Sequence, residues 1–446
     1  MQVFAFTSFW PASTGGVGFS MQTKGRGNFS RLSSGSLCAI IIAMLGALSE
    51  MKSASAQVPC RYEVQLLPTP SPCAFWDRYI VPTGISPNGR WVCGFTDGCC
   101  FSGNCYESVV VDTTTMQLRF IPRPAGISSS QARDVNDSGY VVGEYGGSIG
   151  DFGFIYNFNT NQYVAQLPAP IQGGICSVNA INASNVVCGT RTITGRPEYK
   201  STAFKWSAAT GFQDLGLVNG ESTSSADIND RADVVGTMVV NSTALPFLWH
   251  NNELINLGTL RGFFTVPNAL NNSMQVVGRS SLVPGGLNPH AFLWFRGTMA
   301  DLGTLPGHDI SHALSIAPDG TIVGVSRQLK QHDDRAVLWS NSELRDLNGY
   351  LPVGVGFQLT SANAINNHNV VAASGYVYPG GIGMSCLLRP IHGPTADINY
   401  DCRVNVNDLL LVINEWHQTN SPADINRDHF VDVFDLCEVI CQWSPN

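Results

Sequence analysis

One short phrase recurs along the chain and constrains its fold more than any other feature. It reads "VNDSGYVVG" from Val135, "INASNVVCG" from Ile181, "INDRADVVG" from Ile228, "LNNSMQVVG" from Leu270 and "IAPDGTIVG" from Ile316. Looser copies are "ISPNGRWVCG" from Ile85 and "INNHNVVAA" from Ile365. The closing glycines fall at 94, 143, 189, 236, 278 and 324, with Ala373 in the last place, at spacings of 42 to 49 residues. A unit of that size cannot bury its apolar face alone and must stack on its neighbours. Seven copies at that period match the blades of a propeller.

Each unit divides into four short strands separated by turn residues. Strand a ends in Ile-Asn, and an Asn/Asp-rich turn suited to left-handed backbone leads into strand b, "VVG". Strand c is the "AFLW" segment and strand d the "DLGTL" segment. In strand c, Phe204 alternates with Trp206, Phe247 with Trp249, Phe292 with Trp294, and Val337 with Trp339. Residues two apart share a face, so each pair presents a large apolar surface to a neighbouring sheet. This stripe reads as core between blades rather than as a sugar platform. Seven strands c are present but only six strands d follow them. The missing one stands at the other end, in "YEVQLLPTP" from Tyr62 to Pro70. Residues 57–393 are therefore expected to form an all-β, seven-bladed propeller closed by an N-terminal strand, which leaves no open edge. Cys73 and Cys386 are expected close enough to staple that closure.

Composition agrees with a turn-rich β body, since charged residues make up only 13% of the 446 and glycine and proline are abundant. The net charge of −8 and the absence of a basic stretch argue against a nucleic-acid partner. Residues 1–56 resemble a secretion signal: Lys24, Arg26 and Arg31 precede the apolar run Leu37–Leu48, and Ala54-Ser55-Ala56 offers a cleavage site. A start at Met21 gives the more usual length, and a tethered anchor is the alternative. The run is too short for a stable membrane span. Export to an extracellular or cell-surface location makes disulfides the default state of the cysteines. Nine of these lie between the signal and Pro394 and three beyond it. Two odd numbers require a bridge between the two regions or at least two free thiols.

Residues 394–446 are a separate, acidic segment with nine Asp/Glu against two Arg. It is a duplication: "DINYDCRVNVNDLLLVINEW" from Asp397 and "DINRDHFVDVFDLCEVICQW" from Asp424, offset by 27 residues. Oxygen-bearing side chains fall at loop positions 1, 3, 5, 9 and 12 of each half, the spacing at which one turn of chain wraps a calcium ion, with the carbonyl of position 7 as a further ligand. The expected ligands are Asp397, Asn399, Asp401, the Arg403 carbonyl, Asn405 and Asp408. The second site would use Asp424, Asn426, Asp428, the Phe430 carbonyl, Asp432 and Asp435. Each loop leads into an apolar, helix-forming run ending in Trp. Position 6, where the loop turns sharply and glycine is usual, is Cys402 or His429, which costs about 1 kcal/mol each. Cys402 is expected to bridge to Cys437 or Cys441, which lie one turn apart on a helix and cannot easily pair with each other.

Two family resemblances follow. The "AFLW…DLGTLPG…IN…VVG" pattern over roughly residues 60–390, with His290-Ala291-Phe292, resembles the HAF family of bacterial extracellular repeats, which implies no defined catalysis. The tail resembles a type I dockerin, which also carries Asp at position 12. That resemblance implies two Ca2+ ions and docking on a cohesin-like domain or cell-surface component. It also implies that positions 10 and 11, here Val406-Asn407 and Val433-Phe434, help select the partner.

Enzymatic chemistry has few candidates. Hydrolysis of a glycoside would need two converging carboxylates, drawn from Asp134, Asp227, Asp230, Asp309, Asp333 and Asp334. Asp230 and Asp319 fall in a–b turns, where backbone capping is the simpler role. "HDD" at 332–334 could bind metal but reads as a solvated loop, and His308 and His312 flank Ser311 without a recognisable partner. No H-E-x-x-H motif and no nucleotide loop is present. The sequence thus favours a secreted, non-catalytic binding or assembly protein. The alternative is a carbohydrate-active enzyme, a glycoside hydrolase or lyase acting on polysaccharide. A third possibility is a tail that only caps the propeller.

Overall fold

A computed structural model describes residues 59, 61–70, 79–97, 106–147, 150–241, 243–286, 288–352, 354–377, 381–391, 396–399, 402–419, 421–426 and 429–443. All belong to one unit, Ala54–Asn446. The expected signal and Cys73 lie outside the described residues. No helix among those described is long and apolar enough to cross a membrane.

The body is a seven-bladed propeller, each blade a four-stranded antiparallel sheet. Strand β1 (Arg61–Leu66) comes first. Blade 1 follows as β2 (Val81–Ile85), β3 (Trp91–Asp97), β4 (Tyr106–Asp112) and β5 (Gln117–Phe120). Blade 2 is β6 (Ile127–Val135), β7 (Tyr140–Gly147), β8 (Gly150–Asn157) and β9 (Gln162–Leu167). Blade 3 is β10 (Cys176–Ile181), β11 (Val187–Thr192), β12 (Ser201–Ser207) and β13 (Gly211–Asp214). Blade 4 is β14 (Thr223–Ile228), β15 (Val234–Val240), β16 (Thr243–His250) and β17 (Glu253–Asn256). Blade 5 is β18 (Thr265–Leu270), β19 (Val276–Ser281), β20 (Pro289–Phe295) and β21 (Thr298–Asp301). Blade 6 is β22 (Ile310–Ile316), β23 (Ile322–Gln328), β24 (Asp333–Ser340) and β25 (Glu343–Asp346). Blade 7 has only β26 (Phe357–Ile365), β27 (Val371–Val377) and β28 (Ile382–Ile391) from its own stretch of chain. Its fourth strand is β1, paired with β28 from Arg61↔Ile391 to Leu66↔Cys386. The ring closes as its strand count requires.

Every first strand carries a β-bulge at the same place, between Pro82 and Gly84, Ala132 and Asp134, Val178 and Ala180, Ser225 and Asp227, Pro267 and Ala269, Ala313 and Ser315, and Ala362 and Ala364. The bulge explains the repeated glycine. A Cβ on Gly94, Gly143, Gly189, Gly236, Gly278 or Gly324 would lie 2.0–2.2 Å from a carbonyl oxygen of the neighbouring first strand. In blade 7 that close approach falls at Gly375, on the Gln358 carbonyl, which is why Ala373 is tolerated where the repeat has glycine.

The bulge also frees side chains to reach the next blade, and they do so alternately. Thr83 donates to the Ala132 carbonyl, Asn179 to Ser225, Asn268 to Ala313 and Asn363 to Pro82, at 2.7–3.0 Å. At the interfaces between these, the next residue accepts: Asp134 from the Ile181 amide, Asp227 from Leu270 and Ser315 from Ile365. All seven seams are spanned. A second belt lies one turn away. The Ile-Asn side chains of Asn136, Asn182, Asn229 and Asn271 each donate to the carbonyl of the same position in the next blade. Their Oδ1 atoms cap their own a–b turns, for example from the Ser184 and Val186 amides onto Asn182. These turns end in left-handed residues, among them Asn185, Asn369 and Gly139.

Between the blades lies the apolar core. Phe154, Phe204, Phe247 and Phe292 are fully buried. Trp294 and Trp339 are nearly so, and the Trp339 indole donates to the Leu302 carbonyl at 2.9 Å. Trp206 and Trp249 are half-buried against the same clusters. The aromatic stripe is core, as expected.

The cysteines correct the expectation of a stapled ring. Cys93, Cys176, Cys188 and Cys386 are free, buried thiols. Cys386 packs with Tyr62, Leu338 and Leu359 as a small hydrophobe, so closure rests on the β1–β28 ladder and not on a bridge to Cys386.

The glycine argument is directly testable. Gly236→Ala places a methyl 2.0 Å from the Ser224 carbonyl and 2.8 Å from the Phe247 ring. It is expected to lower unfolding free energy by about 1–3 kcal/mol in urea titration. Gly195→Ala, whose Cβ meets nothing within 4 Å, is the control and should stay within about 0.5 kcal/mol of the parent.

Candidate functional site

The tail folds around its own small core of Ala396, Ile398, Val404, Val412, Ala423, Val431 and Val439. It contains two nine-residue helices, α1 (Val406–Asn414) and α2 (Val433–Cys441). Both begin with a capping box. Asn405 and Asp432 cap the first turn, and Asp408 and Asp435 reach back to the cap amide.

The described parts of the two loops share the same hydrogen bonds. Asp408 accepts the amides of Ile398, Asn399 and Asn405 at 2.8–3.2 Å. Asp435 accepts those of Ile425, Asn426 and Asp432 at 2.7–3.1 Å. Both carboxylates are fully buried, and neither has a cationic partner among the described residues. Asp397 accepts the Cys402 amide and Asp424 the His429 amide, at 2.8 and 2.9 Å. Cys402 and His429 adopt the left-handed conformation, with φ of +68° and +78°. The sharp turn expected at position 6 is made without glycine.

The side chains able to hold a hard cation are thus Asp397, Asn399, Asn405 and Asp408 in one loop and Asp424, Asn426, Asp432 and Asp435 in the other, with the carbonyls of Arg403 and Phe430. Asp401 and Asp428 lie outside the described residues. Among the described residues no three His, Cys, Asp or Glu side chains form a metal-sized group. The described carboxylates alone therefore do not make a centre, and amide and carbonyl oxygens would have to complete it. Two short helices do not by themselves establish an EF-hand-type module. Cys402 is disulfide-bonded, whereas Cys437 and Cys441 are free and exposed. This overturns the expected bridge from Cys402 to either. Those two thiols lie on the outward side of α2, away from the core beneath.

Positions 10 and 11 are displayed at the first turn of each helix. Val406 and Val433 are about half exposed, Asn407 is exposed, and Phe434 is 64% exposed. The sequence reading missed how far these patches extend. Leu410 and Ile413 continue from Val406 along α1, and Cys437 and Ile440 continue from Val433 along α2, all exposed. The i, i+4, i+7 spacing, repeated at the 27-residue offset, carried that signal.

In the propeller, the candidate carboxylates are dispersed into other work. Asp230 accepts the Ala183 amide and the Asn272 side chain, and Asp319 caps Thr321 and meets Asn369. Asp309 accepts the Leu329 amide. Asp333 pairs with Arg335 and Asp334 with Arg327, each at 2.7 Å. Asp134 and Asp227 are buried seam acceptors. Burial pushes their carboxyls up to about 6 and about 7, against the hydrogen bonds from Ile181 and Val135 and from Leu270 and Ile228. His308 buries an unpartnered Nδ1, and His312 lies beside Arg279.

No family model and no curated protein matches the chain. Solved structures similar to it include an acylaminoacyl peptidase of Pyrococcus horikoshii, at 10% identity and a TM-score of 0.47. That match covers 69% of this chain and 52% of the peptidase, so the chain spans about half the peptidase's length. An oligogalacturonate lyase of Vibrio parahaemolyticus matches at 9% identity and TM-score 0.46, over 74% and 92% of the two chains. TolB of Acinetobacter baumannii matches at 12% and 0.37, over 68% and 82%. None of these likenesses carries an argument about activity.

The two buried seam carboxyls set a pH dependence. Their folded pKa values lie above the ordinary 3.8, so their contribution to stability is complete below that value. It is lost as pH rises through about 6 and about 7. Serine does the same seam bonding at position 315, so Asp134→Ser with Asp227→Ser keeps an acceptor and removes both titrations. Urea unfolding from pH 4 to 8 should show the parent losing on the order of a few kcal/mol that the double variant does not lose. Equal slopes in the two proteins would refute the assignment.

Proposed function

We propose that this chain is a secreted, non-catalytic binding or assembly protein that displays a β-propeller through a calcium-dependent, dockerin-like tail. The observation that carries the reading is the pair of matched loop–helix units, each with an inward carboxylate set and an outward apolar stripe. In each loop the position-1 carboxylate takes the position-6 amide, and the position-12 carboxylate ties loop start to helix start. Each position-12 acid is fully buried on three backbone amides, with no cationic partner among the described residues. An all-oxygen set of carboxylates, amides and carbonyls suits a hard cation such as Ca2+. When bound, the ion would neutralise those carboxylates and draw each loop onto its helix. The chain's own residues would do the rest: Asp408 and Asp435 fix the helix starts, and Val406, Asn407, Val433 and Phe434 face the partner, a cohesin-like domain or cell-surface component.

The carbohydrate-active alternative needs a pair of carboxylates free to act. Among the described residues, the named candidates are engaged in ion pairs, turn caps and blade seams, which favours the binding reading.

The test uses the full mature chain. Calorimetric titration should find two Ca2+ sites, with Asp397→Ala and Asp424→Ala each removing one and weakening retention of a secreted or envelope partner at least about tenfold. Chelator should release that partner. A folded chain that takes up no calcium, or retains its partner equally in chelator, would sink the proposal.

A further inference from the structure

The seam between blades 5 and 6 carries a cationic group that the fold does not account for. Arg279 stands on β19 directly after the repeat glycine. Other blades place Phe95, Glu144, Thr190, Thr237 and Val325 there. Two of the polar ones have visible work within the fold: Glu144 pairs with Arg133, and Thr190 accepts the Ser225 amide. Arg279 has no ion pair among the described residues. Its Nε is buried without a hydrogen-bond partner. Its Nη1 lies 3.5 and 3.4 Å from the two ring nitrogens of His312, on the first strand of blade 6. Distances that long and that even do not make a directed hydrogen bond.

The surroundings concentrate donors and withhold acceptors. Arg327, the next cation, is committed to Asp334 at 2.7 Å. Burial, together with Arg279 and Arg327, holds the His312 imidazole down to about 4, so it is neutral at ordinary pH and one ring N–H remains a donor. Phe264 flanks the group, its ring centre 5.5 Å from the guanidinium carbon. Phe264 is partly exposed and Phe263 is 63% exposed. A half-buried guanidinium with idle donors, a neutral imidazole and an aromatic wall lacks one thing, an anion with planar or tetrahedral oxygens.

We infer that the Arg279–His312 seam is an oxyanion-binding site, in which Arg279 and His312 donate to the oxygens and Phe264 packs against the body of the ligand. The aromatic wall suits a carboxylate carried on a saccharide ring, and inorganic sulfate presents the same oxygens without the ring. The site belongs to the propeller, so the inference stands or falls separately from the calcium reading of the tail.

Thermal unfolding of the full chain, with sodium glucuronate or sodium sulfate against sodium chloride at matched ionic strength, tests it. A saturable rise in midpoint with an oxyanion is expected. Glucuronate acting at lower concentration identifies the saccharide carboxylate, and sulfate acting equally well identifies a plain oxyanion site. Arg279→Met should abolish the response and unfold no lower than the parent without added anion, because it removes an unbalanced cation. Should that variant not fold, the His312 ring carbon resonance of the parent must shift saturably with the same probes. No stabilisation beyond chloride by either anion, or a response that survives in Arg279→Met, would overturn the assignment.

Discussion

The rest of the propeller depends on how one blade's inner strand is bonded to the next. Seven sheets packed face to face gain most of their stability from apolar burial, which is not directional. Burial alone would let the blades slide. The β-bulge supplies direction, by adding one residue to each inner strand and leaving it without a ladder partner. That residue, or the one after it, then crosses the seam to a backbone group of the neighbour. The crossing bonds alternate between side chains that donate, Thr83, Asn179, Asn268 and Asn363, and side chains that accept, Asp134, Asp227 and Ser315. Strict alternation cannot close on an odd number of blades. The mismatch falls where blade 7 meets blade 1, so that Asn363 and Thr83 are donors at successive seams. The same junction is where Asn366, the last member of the second belt, buries an unpartnered Nδ2.

The alternation also sets side-chain size. Blades that contribute an acceptor carry Asp or Ser after the bulge, while their neighbours carry Gly84, Ala180, Ala269 or Ala364. A Cβ on Gly84 would sit 3.0 Å from the Asp134 carboxylate and 3.1 Å from the Cys93 sulfur. Small residues therefore stand beside the buried acids because there is no room for larger ones. The buried thiols of Cys93 and Cys188 stand on strand b opposite Gly84 and Ala180, two of these small residues. They are read better as volume than as reactive groups, since burial raises both far above the ordinary thiol range.

Much of this is legible in the amino-acid sequence. The blade period, the missing seventh strand d and the N-terminal strand that supplies it follow from local patterns, because a bulge, a glycine and a turn recur wherever the backbone does the same thing. The paired loop–helix units of the tail were legible for the same reason, since the spacing that repeats at a 27-residue offset is a property of one short stretch of chain. What failed to show were contacts between stretches. Asp134 and Asp227 looked like spare acids, although "RDVN" and "ADIN" against "VNAIN", "PNALN" and "ANAIN" already display the alternation. Its meaning depends on the neighbour's carbonyls and amides. The state of Cys386 depends on what surrounds it, and parity could not say which thiols would be free. Arg279 is an ordinary surface cation in the sequence, and becomes conspicuous only when no described carboxylate is found beside it.

The tail shows how a local rule is met by another residue type. Position 6 of each loop needs left-handed backbone, and neither half supplies glycine. Cys402 and His429 take that conformation because their amides are held by the position-1 carboxylates, and one charge-assisted hydrogen bond offsets a strain of about 1 kcal/mol. In the first loop the residue under strain is also disulfide-bonded, so its conformation is held by a covalent link as well as by Asp397. In the second loop the His429 amide is held by Asp424, and histidine can form no such covalent link. Equal in pattern, the two halves are therefore unequal in constraint. Neutralising a position-1 carboxylate should loosen the second turn more than the first, because the first turn keeps its disulfide.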